Sequence, residues 1–252
     1  EHDHAGAINF LGIMYGMGQG VAQNNKTAFT YFQEAIEKGD ADSMYNLGYM
    51  YLHGKGVDRN YATAKDLFEK AIKKGHASSM FELGVMYLHG KGVDRNHATA
   101  KELFEKAIKK GCTEALTGLG NMYHYGKGVE QNFAAAKDFY EQAAEKGSTT
   151  AMLCLGLMYA RGSGVTQNDE TAFTYVQKAA EKGDAGALYN LGGMYRSGRG
   201  TAQDYAQAKQ FYEQAAEKYH PEAMTALAHM YYLGNGVDRD LSCALNYAQQ
   251  AL

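Results

Sequence analysis

The sequence repeats itself with a period of 36 residues, and seven repeats account for all 252 residues of the chain. Each repeat carries the motif Leu-Gly-x-Met-Tyr or a close variant, and no insertion or deletion disturbs the spacing. The first residue of the motif, the marker leucine, stands at Leu11, Leu47, Leu83, Leu119, Leu155, Leu191 and Leu227. A fixed period of this length is typical of an array of small units that bury their apolar faces against one another. The repetition predicts a single elongated domain over residues 1–252 and favours binding over catalysis.

The second repeat shows how one unit is expected to fold. Its small and apolar residues recur at spacings of three and four, which is the period of an amphipathic helix. We expect a first helix, helix A, over residues 41–52, capped by Asp40 and ended by Gly54. A second, helix B, begins after Asn60 and closes near Gly75. Repeated seven times, this pattern predicts an all-α chain of about fourteen short antiparallel helices.

A glycine follows the marker leucine in the middle of helix A, where glycine costs about 1 kcal/mol relative to alanine. This helix-A glycine stands at Gly12, Gly48, Gly84, Gly120, Gly156 and Gly192. A penalty that recurs in six repeats indicates a contact that a methyl group would block. We therefore expect helix A to pack closely against helix B, under a facing aromatic side chain.

The pattern Leu-Gly-x-Met-Tyr-x-x-Gly-x-Gly-Val, followed by Asn, Ala, Tyr or Phe, Ala and Gly, resembles the Sel-one-like repeat, a relative of the tetratricopeptide repeat. The resemblance covers the whole chain, with mild departures at Thr201, Tyr219 and Ala228. It implies a right-handed α/α superhelix, or solenoid, whose A helices line a concave surface. It also implies an adaptor or scaffold, and a bacterial protein that is periplasmic, secreted or delivered to a host, with the cytoplasm left open.

A cysteine-rich bacterial branch of that family is associated with β-lactam binding or hydrolysis, and it carries paired cysteines in each repeat. The three cysteines of this chain, Cys112, Cys154 and Cys243, occupy three different repeat positions. We therefore do not transfer that activity, and we expect a non-enzymatic protein. A small-ligand binder or hydrolase that uses the same groove remains the alternative.

Composition limits the kind of partner. A formal net charge of −3 and a pI near 6.3 give no basic face for nucleic acid or an anionic membrane. No run of about 18 apolar residues could insert into a bilayer. The chain opens at Glu1 rather than Met, so we expect a piece of a longer protein. A protein or peptide partner is expected, and no cofactor.

Histidines near the ends of three A helices, His53, His89 and His124, raise the question of a metal site. Packed helices lie about 8–10 Å apart, whereas zinc ligands converge to within about 2.1 Å of the ion. Successive repeats hold these imidazoles too far apart, so no metal site is expected.

The positions two before, two after, five after and six after the marker leucine lie opposite the core side of helix A and vary between repeats. Varying positions are where specificity differs along a repeat array. We expect a groove on the concave helix-A face that binds the partner, with its apolar end over repeats two and three. Its candidate residues are Tyr45, Tyr49, Leu52, His53, Phe81, Val85, Leu88, His89, Asn121, His124, Tyr125, Leu157, Arg161, Tyr189, Arg196, His229 and Tyr232. In the alternative, superhelical curvature buries several of these side chains against the next A helix.

Other apolar residues raise the alternative of self-association. Phe29, Phe173 and Leu245 replace a lysine that most repeats carry on helix B, which predicts a second contact surface on the convex side. Leu241, Leu245 and Leu252 need a following helix to cover them, so we expect either that the native protein continues or that this end pairs with another chain. A purely structural spacer is a third interpretation of the array.

Overall fold

The computed structural model describes residues 2–252, with side chains from His4 onward. These residues form fourteen α-helices joined by short turns, and no β-strand occurs among them. The helices are α1 (His2–Met17), α2 (Asn25–Glu37), α3 (Ala41–His53), α4 (Tyr61–Lys73), α5 (Ala77–His89), α6 (His97–Lys109), α7 (Thr113–Tyr125), α8 (Phe133–Glu145), α9 (Thr149–Arg161), α10 (Asp169–Glu181), α11 (Ala185–Ser197), α12 (Tyr205–Glu217), α13 (Pro221–Leu233) and α14 (Leu241–Gln250). Odd-numbered helices are the predicted A helices and even-numbered ones the B helices, so the predicted all-α solenoid class is confirmed.

The described residues form two compact units. Unit 1 contains the residues up to Met122 together with Lys127–Val129, and unit 2 contains Tyr123–Gly126 and Glu130–Leu252. Within each unit, helix A packs on helix B of its own repeat, and helix B packs on the following helix A. The single domain over the whole chain stays a prediction.

Short capping contacts set the ends of the helices. The Asn60 side chain accepts a hydrogen bond from the backbone N–H of Thr63 at 3.0 Å, which satisfies a donor that the helix itself leaves unpaired. The same cap is made by Asn24, Asn96, Asn132, Asn168, Asp204 and Asp240. Helix A of the second repeat ends at Gly54, whose φ of 69° lies in the left-handed region. The predicted caps and the predicted glycine stop are confirmed.

Helix A and helix B approach most closely where the helix-A glycine faces an aromatic ring. A Cβ atom on Gly84 would lie 2.6 Å from Cε1 of Phe104, a fully buried side chain. The same contact joins Gly12 to Phe32, Gly48 to Phe68 and Gly192 to Tyr212. The expected close packing under an aromatic side chain is confirmed.

A second glycine, two residues after the glycine that caps helix A, makes the contact between successive repeats. A side chain at Gly92 would overlap Cβ of Tyr61, the first residue of the preceding helix B. The equivalent pairs are Gly56 with Asn25, Gly128 with His97, Gly164 with Phe133, Gly200 with Asp169 and Gly236 with Tyr205. Because Gly92 also has a φ of 69°, both the turn and the packing require glycine there.

Tyr219 stands where five other repeats place a glycine after helix B. Its φ is 59°, and among the described residues no other non-glycine residue has a positive φ. The equivalent residues Gly39, Gly75, Gly111, Gly147 and Gly183 have φ values from 77° to 91°. The Tyr219 side chain is 86% exposed, so little packing compensates for the strained backbone.

We expect Gly84→Ala to lower the free energy of unfolding by about 1–3 kcal/mol, because the new methyl group would displace the buried Phe104 ring. Gly6→Ala is the matched control, since a Cβ atom there would meet nothing within 4 Å and should leave stability unchanged or improved. Urea unfolding followed by far-UV circular dichroism measures both. Gly84→Ala with the stability of the wild type would contradict the packing argument.

Tyr219→Gly should raise the free energy of unfolding by about 0.5–1 kcal/mol, because glycine adopts a positive φ without steric strain. Tyr219→Ala is the control, since alanine keeps the strain and removes only an exposed ring. The same urea titration compares the three proteins. An equal gain from both substitutions would show that the backbone conformation is not the cause.

Candidate functional site

In α3, a helix A with a B helix on either side, a narrow strip reaches solvent. In α3 the buried residues are Ser43, Met44, Leu47, Gly48, Met50 and Leu52. A strip of exposed or half-buried residues runs along the other side of the helix and consists of Asp42, Tyr45, Asn46, Tyr49 and His53. Relative to the marker leucine these are positions −5, −2, −1, +2 and +6, and we call this set of positions the helix-A face. The strip is narrow because helix A packs on two B helices, its own and the preceding one.

Leu52 and Leu88, at position +5, lie in the core, and the prediction that they line the groove is wrong. Their side chains are 5% and 8% exposed. Leu52 belongs to the same buried cluster as Phe68 and Met86. At about 100° per residue, position +5 lies about 40° from the helix-A glycine, on the side that faces helix B. Positions −5 and −1 reach the helix-A face instead, and the sequence prediction omitted them.

In the second repeat, the helix-A face carries a chain of aromatic rings. The ring centre of Tyr49 lies 4.2 Å from that of His53 and 6.2 Å from that of Tyr45. Tyr45 also contacts His76, at 5.0 Å, and the buried Phe68, at 6.1 Å. Burial, reinforced by the charge of nearby carboxylates, raises the pKa of Tyr45 to about 12, so this side chain stays a neutral phenol. Tyr45 is therefore partly a core residue, whereas Tyr49 and His53 extend outward.

The third repeat continues this surface with less polar groups. Phe81 is half-buried, and its ring centre lies 5.6 Å from that of Phe104. Val85 is half-buried and His89 is exposed. Asn121 is half-buried at the corresponding place in α7. In unit 1 the predicted residues of repeats two and three, apart from Leu52 and Leu88, therefore lie on the helix-A face.

Charge on this part of the helix-A face is sparse. Burial raises the pKa of Glu82, a half-buried residue at position −1, and the charge of Lys91 opposes the shift. Burial, followed by nearby lysine charge, lowers the pKa of His53 and of His89. These imidazoles are therefore uncharged at neutral pH, and the carboxyls of the helix-A face in unit 1 are the half-buried Glu82 and the exposed Asp42 and Glu114.

His124, in unit 2, takes the +5 position that buried leucines occupy in repeats two and three. Its Nδ1 atom is buried, and no described residue forms a hydrogen bond with it. Its ring centre lies 4.6 Å from that of Tyr125 and 5.2 Å from that of Phe133. Burial, followed by the charge of Arg161, lowers the pKa of His124. Tyr125 is 57% exposed and extends the helix-A face.

An open cavity of about 280 Å³ lies between α9 and α11, above α10. Residues from all three helices line it, among them Leu153, Leu157, Ala160, Val176, Gly193 and Met194. Leu157 lines this cavity, as do Leu153 and Ser197 at the predicted varying positions −2 and +6, while Arg161 and Arg196 are exposed at the ends of α9 and α11. The sequence prediction missed the remaining lining residues, although Val176 replaces the aromatic residue that five repeats carry at this position and was a usable signal.

The remaining candidates, in the last two repeats, differ from one another in how far they are buried. Tyr189 is half-buried between Tyr212, at 5.7 Å, and His220, at 5.0 Å between ring centres. His229 is exposed, and Tyr232 is 55% exposed. Tyr189 is thus partly a packing residue, and the other two are accessible.

The convex contact surface predicted at Phe29 and Phe173 is wrong for those two residues. Both are half-buried, and each packs edge-on against the tyrosine of the next helix A, Tyr51 at 6.1 Å and Tyr195 at 5.3 Å. The exposed leucines of the last repeat are Leu233, Leu241, Leu245 and Leu252. Self-association through that end stays a prediction.

The chemistry of the cysteines differs from that of activated nucleophiles. No disulfide joins the cysteines of the described chain. Burial raises the pKa of Cys112 to about 11 and also raises the pKa of Cys154. Both thiols are therefore protonated at neutral pH. Among the described residues, no three His, Cys, Asp or Glu side chains come together to hold a metal ion.

No described helix combines the length and the hydropathy that spanning a bilayer requires. The Sel1 repeat sequence profile matches seven consecutive segments of the chain, residues 5–40, 41–76, 77–112, 113–148, 149–184, 185–220 and 221–252. No curated protein matches the sequence.

Solved structures similar to this chain come largely from bacteria, in agreement with the expected bacterial source. A Sel1 repeat protein of Oxalobacter formigenes is 30% identical, with a TM-score of 0.82, and the match covers 100% of this chain and 98% of that one. A protective antigen of uropathogenic Escherichia coli with an SLR fold is 32% identical, with a TM-score of 0.69. That match covers 98% of this chain and 53% of the antigen, so this chain spans about half of its length. An immunity protein of Pseudomonas aeruginosa shares the fold at 22% identity, with a TM-score of 0.65, over 85% of this chain and 81% of that one.

We expect His124→Leu to raise the free energy of unfolding at pH 7 by about 1–3 kcal/mol, because it removes a buried atom without a hydrogen bond and restores the leucine of other repeats. Since the folded chain holds the pKa of His124 below its usual 6.5, the unfolded chain binds the proton first as the pH falls. The wild type should therefore lose stability below about pH 6.5, and the variant should lose less.

Urea titrations from pH 7.5 to pH 5 check this expectation. The pKa values of His53, His76 and His89 are lowered as well, so the difference between wild type and variant is the relevant quantity. His229→Leu, at an exposed position of α13, is the control for the loss of one imidazole from an A helix. Parallel curves for wild type and His124→Leu would contradict the assignment.

Proposed function

Because this chain belongs to the Sel1 repeat family, we propose that it is a protein–protein interaction module, an adaptor or scaffold that binds a protein or peptide along its helix-A face. Proteins built from Sel1 repeats typically bind proteins and are generally non-enzymatic. The role of the Escherichia coli antigen is not transferred, since this chain spans only about half of that protein.

The observation that carries this proposal is the set of aromatic side chains left open along the helix-A face. Tyr49 and Phe81 are half-buried without being enclosed, and Tyr125 and Tyr232 are more than half exposed. Aromatic residues and arginine are enriched at protein interfaces, where they contribute most of the binding energy. Within unit 1 the rings of Tyr49 and Phe81 lie on two different A helices, which suits an extended partner better than a single small molecule.

Rigidity of the helix pairs supports the same conclusion. In repeats one, two, three and six the helix-A glycine is fixed against a buried ring, as Gly48 is against Phe68, and helix B is fixed by its side-chain cap. A surface that is already formed requires little ordering when a partner binds, and that raises affinity for a given contact area.

Polar groups beside the rings make the surface asymmetric, so that it can favour one orientation of a bound peptide. The Lys55 ammonium lies 5.1 Å from the centre of the Tyr49 ring, on one edge of the helix-A face. Glu82 provides a half-buried carboxyl among the rings of unit 1. A partner peptide therefore meets a cation and a carboxyl at distinct places, which favours one orientation of its chain.

No observation specifically supports hydrolase activity. Nucleophilic cysteines need a lowered pKa, whereas burial raises the pKa of Cys112 and Cys154. We therefore advance no second function for the groove.

Peptides selected from a random 12-residue display library against the intact chain test the proposal. We expect Tyr49→Ala and Val85→Asp each to weaken binding of a selected peptide by about 10-fold or more, since each removes apolar contact in the groove. Fluorescence anisotropy of the labelled peptide measures the affinity.

Tyr219→Gly is the control, because it removes an exposed aromatic ring outside the helix-A face and should leave the affinity unchanged. Circular dichroism confirms that each variant is folded. Unchanged affinity in both groove variants, or a library that yields no binder, would refute the groove over repeats two and three.

A further inference from the structure

One ring is missing from the series that faces the helix-A glycines. The buried helix-B position that faces the helix-A glycine holds Phe32, Phe68, Phe104 and Tyr212, and the fourth repeat has Tyr140 at the same position of the sequence. The fifth repeat has Val176 there instead. A Cβ atom on Gly156 would meet Val176 Cγ2 at 3.1 Å and no aromatic ring. The spacing of the repeat is unchanged here, so the smaller valine leaves unfilled part of the space that an aromatic ring occupies in other repeats.

The cavity between α9 and α11 occupies this place. Val176 lines it, and so does Gly156. Small residues widen it, since Ala160 stands where repeats two and three have buried leucines, and Gly193 stands where the second repeat has Tyr49. Leu157, at position +2 of the helix-A face, is 37% exposed, so the cavity opens on that face. Its size suits one large side chain rather than a complete small ligand.

The charges around the cavity are positive. Arg199 lines it, but Nε donates to Oδ1 of Asp169 at 2.8 Å and an Nη atom donates to the Ala160 carbonyl at 2.6 Å. Arg161 follows the lining residue Ala160, and Arg196 precedes the lining residue Ser197. Both arginines are exposed.

No carboxylate of the described chain forms an ion pair with Arg161 or Arg196, and the described residues that line the cavity include no carboxylate. Arginine prefers carboxylates as partners, since its guanidinium matches their geometry.

We infer that this cavity receives an aromatic side chain of the partner, and that Arg161 and Arg196 bind acidic residues next to that side chain. The partner segment is thus an acidic peptide with an aromatic anchor. The ring replaces the one that the fifth repeat lacks, and it packs on Val176, Leu153 and Leu157. This inference rests on the proposed function, and it adds the chemistry of the partner at one defined position.

An acetylated and amidated tripeptide, Asp-Phe-Asp, is the probe. Titration of the ¹⁵N-labelled intact chain, followed by NMR, should give saturable shifts at Ala160 and Gly193, with a dissociation constant on the order of 1 mM. Asp-Ala-Asp, which lacks the ring, should bind at least about 10-fold more weakly. Asn-Phe-Asn, which lacks the charges, should bind about 5-fold more weakly.

Val176→Phe is the decisive variant, because phenylalanine occupies this position in three other repeats and should fill the cavity while the fold is kept. Saturable shifts should then be lost. Gly193→Leu fills the cavity from α11 and serves if Val176→Phe does not fold, since a Cβ atom there meets only the Tyr212 hydroxyl, at 3.6 Å. The double variant Arg161→Ala/Arg196→Ala should abolish the preference for Asp-Phe-Asp over Asn-Phe-Asn.

Binding that persists after the cavity is filled, or no saturable binding to the wild type, would overturn the inference. Tyr49→Ala should bind the tripeptide like the wild type, which separates the two proposals. If the wild type binds the library peptides but not the tripeptide, the anchor pocket alone is refuted. If it binds the tripeptide but the library peptides fail their test, the groove over repeats two and three alone is refuted.

Discussion

The contact between the helix-A glycine and the helix-B ring is the interaction on which the other features depend. A buried ring such as Phe104 lies where the side chain of Gly84 would stand, so the two helices approach at a fixed distance and register. Alanines such as Ala100 and Ala107 complete the close packing, with no exposed surface. Because one unit fixes its own geometry in this way, the second turn glycine can place the next unit by contact with a single residue, as Gly92 does with Tyr61.

The same packing explains where recognition is possible. Helix A is buried by two B helices, so the residues of the narrow helix-A face can vary without loss of the core. Where the ring is absent, at Val176, the contact that stabilises other repeats leaves an opening on that face. The same helix-B position therefore stabilises the repeats in which it holds a ring and allows recognition where it holds Val176. One change from an aromatic residue to valine is enough to turn this core position into the base of a cavity.

Burial also determines the electrostatic character of the face. It lowers the pKa of His53, His89 and His124 and raises that of Tyr45, so these groups are neutral near pH 7. Permanent charge is left to a few side chains at the ends of the A helices. Unit 1 combines lysines with the half-buried carboxyl of Glu82, whereas the cavity of unit 2 is bordered by arginines. The two units thus offer different chemistry to a partner.

The sequence alone determined the helices, their caps, their glycine stops and the close approach of helix A to helix B, because these depend on local conformation and on residue size at a fixed period. It also identified Tyr49, Tyr125 and Tyr232 as accessible aromatic residues. Only the tertiary structure decided that Leu52 and Leu88 are core residues, that Glu82 faces outward and that Val176 opens a cavity. The physical reason is that a helical wheel defines one buried side, whereas helix A is buried by two neighbours whose combined position is set by packing.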